Sequence, residues 1–278
     1  MVSLVVPGSS ERMLAKARAT PVEELVLDLE DAVTAERKPE ALELVKQALV
    51  AGSAASRTSV RINPAGSRWI EAELRALADA SPRPDSVVVP KAEDPFELGQ
   101  IVEALDGIGV QALIETAAGL DRVDGLAKQP GVGGLILGYA DLAVSLGRSP
   151  AGAANLDLWL AAQDRVLVAA RAAGVRVIDG PFLAIGDADG LRRSATRAAE
   201  LGFDGKWAIH PAQLQPIRDA FAPAEADVAH AREVLAALER APDRGAVQVG
   251  GAMVDEPVRL AALRTLERAG LARSGEDR

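Results

Sequence analysis

The chain has 278 residues, 49 % of them apolar and 3 % aromatic, a formal net charge of −9 and no cysteine. The length accommodates one large α/β barrel or two smaller domains, with Ala, Val and Leu filling the core. The acidic balance argues against a general nucleic-acid binder, and the missing thiols exclude disulfides, thiolate metal sites and cysteine nucleophiles.

In chain order, residues 4–8 read as a first strand and turn, and Ser9 or Ser10 as the cap of a helix beginning near Glu11. A second strand over 25–28 runs into the acidic cluster Asp28, Glu30 and Asp31. Leu42, Val45 and Leu49 stand at helical spacing within 39–50. A β-branched strand over 58–62 carries Arg61 and ends at Asn63, and 68–78 reads as a helix. The apolar run 86–89 ends at Pro90-Lys91, and Asp94-Pro95 opens another helix with proline in the tolerated first turn. A strand over 110–114 ends at Glu115, a short helix covers 120–127, and a strand over 134–137 leads to Gly138-Tyr139-Ala140-Asp141.

The second half keeps this rhythm. A helix over 155–173 is stopped by Gly174, and a strand over 175–178 ends at Asp179. A helix over 187–201 precedes the last strand, within 202–210, which ends at His210-Pro211. Helices over 225–241 and 257–269 follow, and the polar tail 274–278 is expected to fray. No apolar run approaches the roughly 20 residues of a membrane span, and the N-terminus lacks a signal-like pattern, so a cytoplasmic protein is expected.

About eight strands separated by helices imply a parallel sheet closed into a (β/α)₈ TIM barrel. An open doubly wound sheet would carry an early glycine fingerprint that opens a helix; Gly131-Val132-Gly133-Gly134 precedes a strand instead. The chain beyond Pro211 exceeds what a barrel needs. Residues 1–222 are therefore expected as the barrel and 223–278 as a C-terminal helical arm.

Barrels place their sites at the C-terminal ends of the strands. The residues expected there are Asp28, Glu30 and Asp31, Arg61 and Asn63, Lys91, Glu115, Asp141, Asp179 and His210. Glu115 and Asp141 end consecutive strands, and two carboxylates with open water positions suit Mg²⁺; without cysteine and with only 2 histidines, zinc is disfavoured. Arg61 can grip a carboxylate with two parallel bonds, or pair internally with Asp28 or Glu30. Lys91 is open to the same two readings. Asp28, Glu30 and Asp31 cannot all be metal ligands without excess charge, so some of them orient Arg61, Lys91 or metal-bound water. His210 reads better as a structural residue than as a base.

In this ordered combination the chain resembles the citrate lyase β-subunit-like family of Mg²⁺-dependent carbon–carbon lyases, within the HpcH/HpaI aldolase group. The matching stretches are Val6-Pro7-Gly8-Ser9, Leu27-Asp28-Leu29-Glu30-Asp31, Val60-Arg61-Ile62-Asn63, Val89-Pro90-Lys91, Leu113-Ile114-Glu115-Thr116, Gly138-Tyr139-Ala140-Asp141-Leu142, Gly205-Lys206-Trp207-Ala208-Ile209-His210-Pro211 and Met253-Val254-Asp255-Glu256-Pro257. Ile178-Asp179-Gly180-Pro181-Phe182 looks most like malyl-CoA and citramalyl-CoA lyases. The resemblance implies a CoA thioester, Mg²⁺ on Glu115 and Asp141, the substrate's carboxylate on Arg61, and acid/base work by Asp255. One departure, Val2 where the family often has arginine before Ser3, implies a lost contact near the acyl or CoA end.

The implied reaction is reversible cleavage of malyl-CoA or citramalyl-CoA into acetyl-CoA and a 2-oxoacid. Asp255 is the first choice of base, with Glu30 and Asp31 behind it. The resemblance further implies a homo-oligomer, a trimer or hexamer, with Asp255 reaching a neighbour's site. The competing enzyme reading is a citryl-thioester lyase that releases oxaloacetate and needs a carrier partner. The competing non-enzyme reading is a barrel that binds metabolites without turnover.

Overall fold

Parallel strands close into a barrel in sequence order: β1 (Val2–Pro7), β2 (Glu24–Asp28), β3 (Thr58–Arg61), β4 (Ser86–Val89), β5 (Gly109–Ile114), β6 (Val132–Leu137), β7 (Arg176–Asp179) and β8 (Gly205–Ala208). The ring closes where β1 pairs with β8, Val2 opposite Lys206 and Leu4 opposite Ala208. The computed structural model describes residues 1–149, 155–241 and 245–271. The tail expected to fray, 274–278, lies outside the described residues.

The helices of this unit are α1 (Glu11–Arg18), α2 (Lys38–Ala51), α3 (Ile70–Ala78), α4 (Pro95–Ala104), α5 (Ala117–Asp121), α6 (Val123–Ala127), α7 (Tyr139–Ser145), α8 (Leu160–Ala173), α9 (Ala188–Leu201) and α10 (Leu214–Phe221). Ser10, not Ser9, caps α1 by accepting from the Met13 N–H. Asp94 and Asp187 cap α4 and α9 in the same way, and Gly174 ends α8 in the left-handed conformation. Among the described residues no helix is long and apolar enough to cross a membrane.

Several elements differ from the sequence reading. The helix expected over 120–127 is two, because Arg122 (φ −98°, ψ 12°) leaves helical geometry between α5 and α6. Strand β6 starts at Val132, and β8 is confined to Gly205–Ala208. Gly138 through Asp141 does not simply trail from a strand: Tyr139 opens α7, which buries Leu142 and Ala143. Helix α10 follows a short 3₁₀ turn after His210 and was not expected.

Alternate residues of a strand face the lumen, and these inward positions form three levels. At the N-terminal end, Glu24 accepts from Ser3 (2.7 Å), Ser59 (2.6 Å) and the Gln111 amide (2.6 Å), a wholly buried polar level. Above it Val26, Val88, Leu113, Ile136, Ile178 and Trp207 pack into an apolar level. Two residues beyond Val26, Ser59 and Leu113 come Asp28, Arg61 and Glu115, at the C-terminal ends of β2, β3 and β5. Val2 lies beside inward-facing Ser3 and so points out of the lumen, at the end of β1 opposite these residues. The contact expected to be lost at the acyl end is therefore not one that position 2 could make.

Residues Phe221–Arg278 form a second unit, set off from Met1–Ala220. It contains α11 (Glu225–Glu239), an antiparallel hairpin of β9 (Val247–Val249) and β10 (Ala252–Val254), and α12 (Glu256–Arg268). The arm is thus not purely helical. Gly250 and Gly251 have φ of +55° and +85°, the positive pair that a two-residue hairpin turn requires. Ala231, Val234, Val249, Val254, Ala262 and Leu266 give this unit its own core.

Candidate active site

The register that places Asp28 opposite Arg61 brings the two side chains together at the strand ends. Arg61 Nε and Nη2 donate to Asp28 Oδ1 (2.6 Å) and Oδ2 (2.7 Å), a parallel two-bond pair. Asp28 also folds the acidic loop around itself, accepting from the Glu30 and Ala32 N–H groups at 2.9 and 3.3 Å. The fork of Arg61 is therefore committed internally, and Nη1 is left facing the other acids. It lies 2.8 Å from Glu30 Oε2, off the hydrogen-bond line, so that buried oxygen has an ion partner but no donor aligned on it.

Lys91 follows β4 and Pro90 with φ +49°, a left-handed backbone uncommon outside glycine. Its N–H donates to Glu115 Oε1 at 3.0 Å. Its ammonium lies 2.5 Å from Glu30, 3.5 Å from Asp141, and 3.9 Å from both Glu115 and Asp31. Burial lowers its pKa, but the bond to Glu30 and the neighbouring acids outweigh that and hold it above the ordinary lysine range.

Glu115 directly follows β5 and is 3 % exposed. Burial, then the charges of Glu30 and Asp141, push its pKa up to about 8 against the opposing pull of Lys91 and Arg61. Asp141 stands in the first turn of α7 with its side chain 37 % exposed. Gly138 lets the segment pass: a Cβ there would lie 2.7 Å from both the Cβ and Oε2 of Glu115. Gly138→Ala is expected to fold, to lose about 1–3 kcal/mol in chemical denaturation and to show a displaced Glu115 carboxylate crystallographically. An unchanged denaturation midpoint would show that the backbone yields instead.

One cavity brings Asp31, Arg61, Glu115 and Asp141 together with an apolar wall that includes Tyr139, Leu183 and Trp207. The wall was not foreseen. Trp207 lies within β8 and packs into the apolar level of the lumen, whereas Tyr139 had only its place after Gly138 as a signal. The Tyr139 hydroxyl donates to Asp179 and accepts from Gln163 at 2.8 Å, and its ring meets Trp159 edge-on at 5.1 Å. Burial, then the Asp179 charge, raises its pKa well above the ordinary value.

Three strand-end residues do not join the cluster. Asp179 pairs with fully buried Lys206 and with Tyr139, behind the cavity wall. Asn63 donates to Glu73 (2.5 Å) and the Leu29 carbonyl (3.0 Å), fixing the loop that carries Glu30. Lys38 was missed by the sequence reading and does similar work, donating to the Leu29 and Glu30 carbonyls at 2.9 Å each. His210 Nδ1 accepts from the Ala212 N–H, a structural cap. Asp255 sits in the second unit at the cap position of α12, and its side chain makes no capping bond there.

The residues present fit an oxygen-liganded divalent ion. Among the described residues no group of three or more His, Asp or Glu could hold a metal by itself. An ion on Glu115 and Asp141 would need further oxygens from water or substrate, the habit of Mg²⁺. Both carboxylates border the same cavity, where such oxygens could complete the shell.

A family model described as HpcH/HpaI aldolase/citrate lyase matches residues 2–211. A (3S)-malyl-CoA thioesterase of Cereibacter sphaeroides is 34 % identical over 272 residues, 96 % of this chain and 93 % of that protein. An L-malyl-CoA/beta-methylmalyl-CoA lyase of Rhodobacter capsulatus is 34 % identical over 268 residues, 86 % of this chain and 84 % of that protein. The crystal structure of CitE from Mycobacterium tuberculosis with magnesium, acetoacetate and coenzyme A superposes with a TM-score of 0.82 at 35 % identity, covering 97 % of both chains.

Proposed function

The chain belongs to the HpcH/HpaI aldolase/citrate lyase family, and we propose that it is a Mg²⁺-dependent carbon–carbon lyase that reversibly cleaves malyl-CoA, citramalyl-CoA or a close homologue into an acyl-CoA and a 2-oxoacid. The observation that carries this reading is the strand-end constellation of Glu115, Asp141 and Arg61 opening on one cavity. Relatives named as malyl-CoA lyases, and neighbours solved with magnesium and oxoacids such as oxaloacetate, support the same chemistry.

Glu115 and Asp141 would hold the ion, which when bound acts as a Lewis acid on the oxoacid's carbonyl. Arg61, oriented by Asp28, offers Nη1 to the oxoacid oxygens and stabilises charge developing there. In the condensation direction the Asp255 carboxylate takes a proton from the thioester's α-carbon, that carbon bonds to the oxoacid's carbonyl carbon, and the resulting alkoxide takes a proton from water. In cleavage the hydroxyl gives its proton to water, the carbon–carbon bond breaks, and Asp255 returns a proton to the α-carbon. Glu30 and Asp31 stand behind Asp255 as candidates for that same base. The arm, 223–278, carries Asp255 to a neighbouring barrel in a homotrimer or hexamer, and the protein works in the cytoplasm.

The name of the thioesterase relatives favours a second reading, hydrolysis of malyl-CoA to malate and free CoA. Products separate the two: purified protein with Mg²⁺ and malyl-CoA should release glyoxylate and acetyl-CoA without free CoA. Free CoA and malate alone would overturn the lyase reading. Turnover of a citryl thioester only with an added carrier partner would favour the citrate lyase β-subunit type. Screening glyoxylate, pyruvate and oxaloacetate with acetyl-CoA and propionyl-CoA fixes the substrate.

Arg61→Lys is expected to lower kcat/KM about a hundredfold or more, nearly as far as Arg61→Ala. An ammonium cannot span both Asp28 oxygens and also present a third nitrogen to the cavity. Near-normal steady-state kinetics in the lysine variant would reduce Arg61 to a simple charge.

A further inference from the structure

We propose that Lys91 is the site's own counter-cation: in the metal-free protein its ammonium holds the carboxylates that a divalent ion claims, and so competes with that ion. This rests on Glu115 and Asp141 being the metal ligands.

Three observations carry it. First, the ammonium stands within 4 Å of four carboxylates, Glu30, Asp31, Glu115 and Asp141. Arg61 is committed to Asp28 through its fork, so it cannot serve Asp141 in the same way. Second, Lys91 hydrogen-bonds with its side chain to Glu30 but lies farther, at 3.5 and 3.9 Å, from the Asp141 and Glu115 oxygens. It neutralises those two acids through space and can leave them without losing its anchor. Third, its backbone takes a left-handed φ of +49° in a non-glycine residue. That conformation costs roughly 1–2 kcal/mol and would be easier for glycine. The turn nevertheless carries a long cationic side chain, tied to Glu115 through its N–H.

The physical consequence is a linkage. Without Lys91, the clustered acids of the metal-free site repel one another with less compensation. A divalent ion at Glu115 and Asp141 is a like charge beside the ammonium, so the two oppose each other, and Lys91 withdraws toward Glu30 and Asp31 when the ion binds. Each cation lowers the site's affinity for the other.

The test uses the full-length protein stripped of metal and titrated calorimetrically with Mg²⁺ at fixed pH and low ionic strength. Lys91→Met and Lys91→Gln are expected to bind Mg²⁺ about tenfold more tightly, the order that removing a nearby unit charge produces at a half-solvated site. Both should melt lower than the parent when metal-free and gain more from added Mg²⁺. Lys91→Arg keeps the charge and should stay within about threefold of the parent. Unchanged or weaker Mg²⁺ binding in both neutral variants overturns the proposal, showing that Lys91 supports the ion or ignores it. Glu115→Gln is the control: if it leaves Mg²⁺ affinity intact, the metal assignment itself fails, whatever Lys91 does.

Discussion

Glu115→Gln and Asp141→Asn are each expected to lower Mg²⁺-dependent turnover about a thousandfold or more, the scale of several kcal/mol of Lewis-acid stabilisation, without unfolding the barrel. Each removes a negative oxygen ligand and puts an amide in its place. The fold should tolerate both changes. Glu115 is buried beside Glu30 and Asp141, and burial first, then those charges, pushes its carboxyl up to about pKa 8, so a neutral amide is suited to the position. A Gln carbonyl can still accept from the Lys91 N–H. Asp141 is over a third exposed and needs no internal partner to fold. Initial rates against Mg²⁺ concentration, with a thermal melt beside them, check this. Wild-type activity at low Mg²⁺ in either variant would remove that residue from the ligand set.

Asp255→Asn is expected to keep Mg²⁺ and oxoacid binding but lose roughly 10²–10⁴ in turnover, the range of a positioned acid/base group. The substitution spares the fold, because the Asp255 side chain makes no capping bond at α12 and the unit's core is built by other residues. Unfolding and co-refolding this variant with Glu115→Gln should restore part of the activity, since a mixed oligomer can pair an intact arm with an intact metal site. Each variant refolded alone is the control. If mixed oligomers form and stay inactive, Asp255 does not serve a neighbour's site.

Alternation of apolar runs with helical periodicity was enough to announce the barrel, because both signals are local: strand and helix periods are read within a few residues. The same holds for the polar residues at strand ends, whose position along the strand is local too. Which way those residues point is not. Asp28 shares parity with Glu24 and Val26 and faces the lumen, whereas Asp179 follows inward-facing Ile178 and turns outward onto Lys206. The hairpin at Gly250-Gly251 likewise needed the pairing of Val249 with Ala252 to become visible. The sequence left Arg61 open between gripping substrate and pairing internally. The register of β2 against β3 decided that its fork lies on Asp28, and the turn at Lys91 decided that one ammonium reaches four acids that follow three different strands. Composition and spacing determined what chemistry the chain possesses. Closure of the barrel decided which of those groups meet, because register and inward parity are set by contacts between residues far apart in the chain.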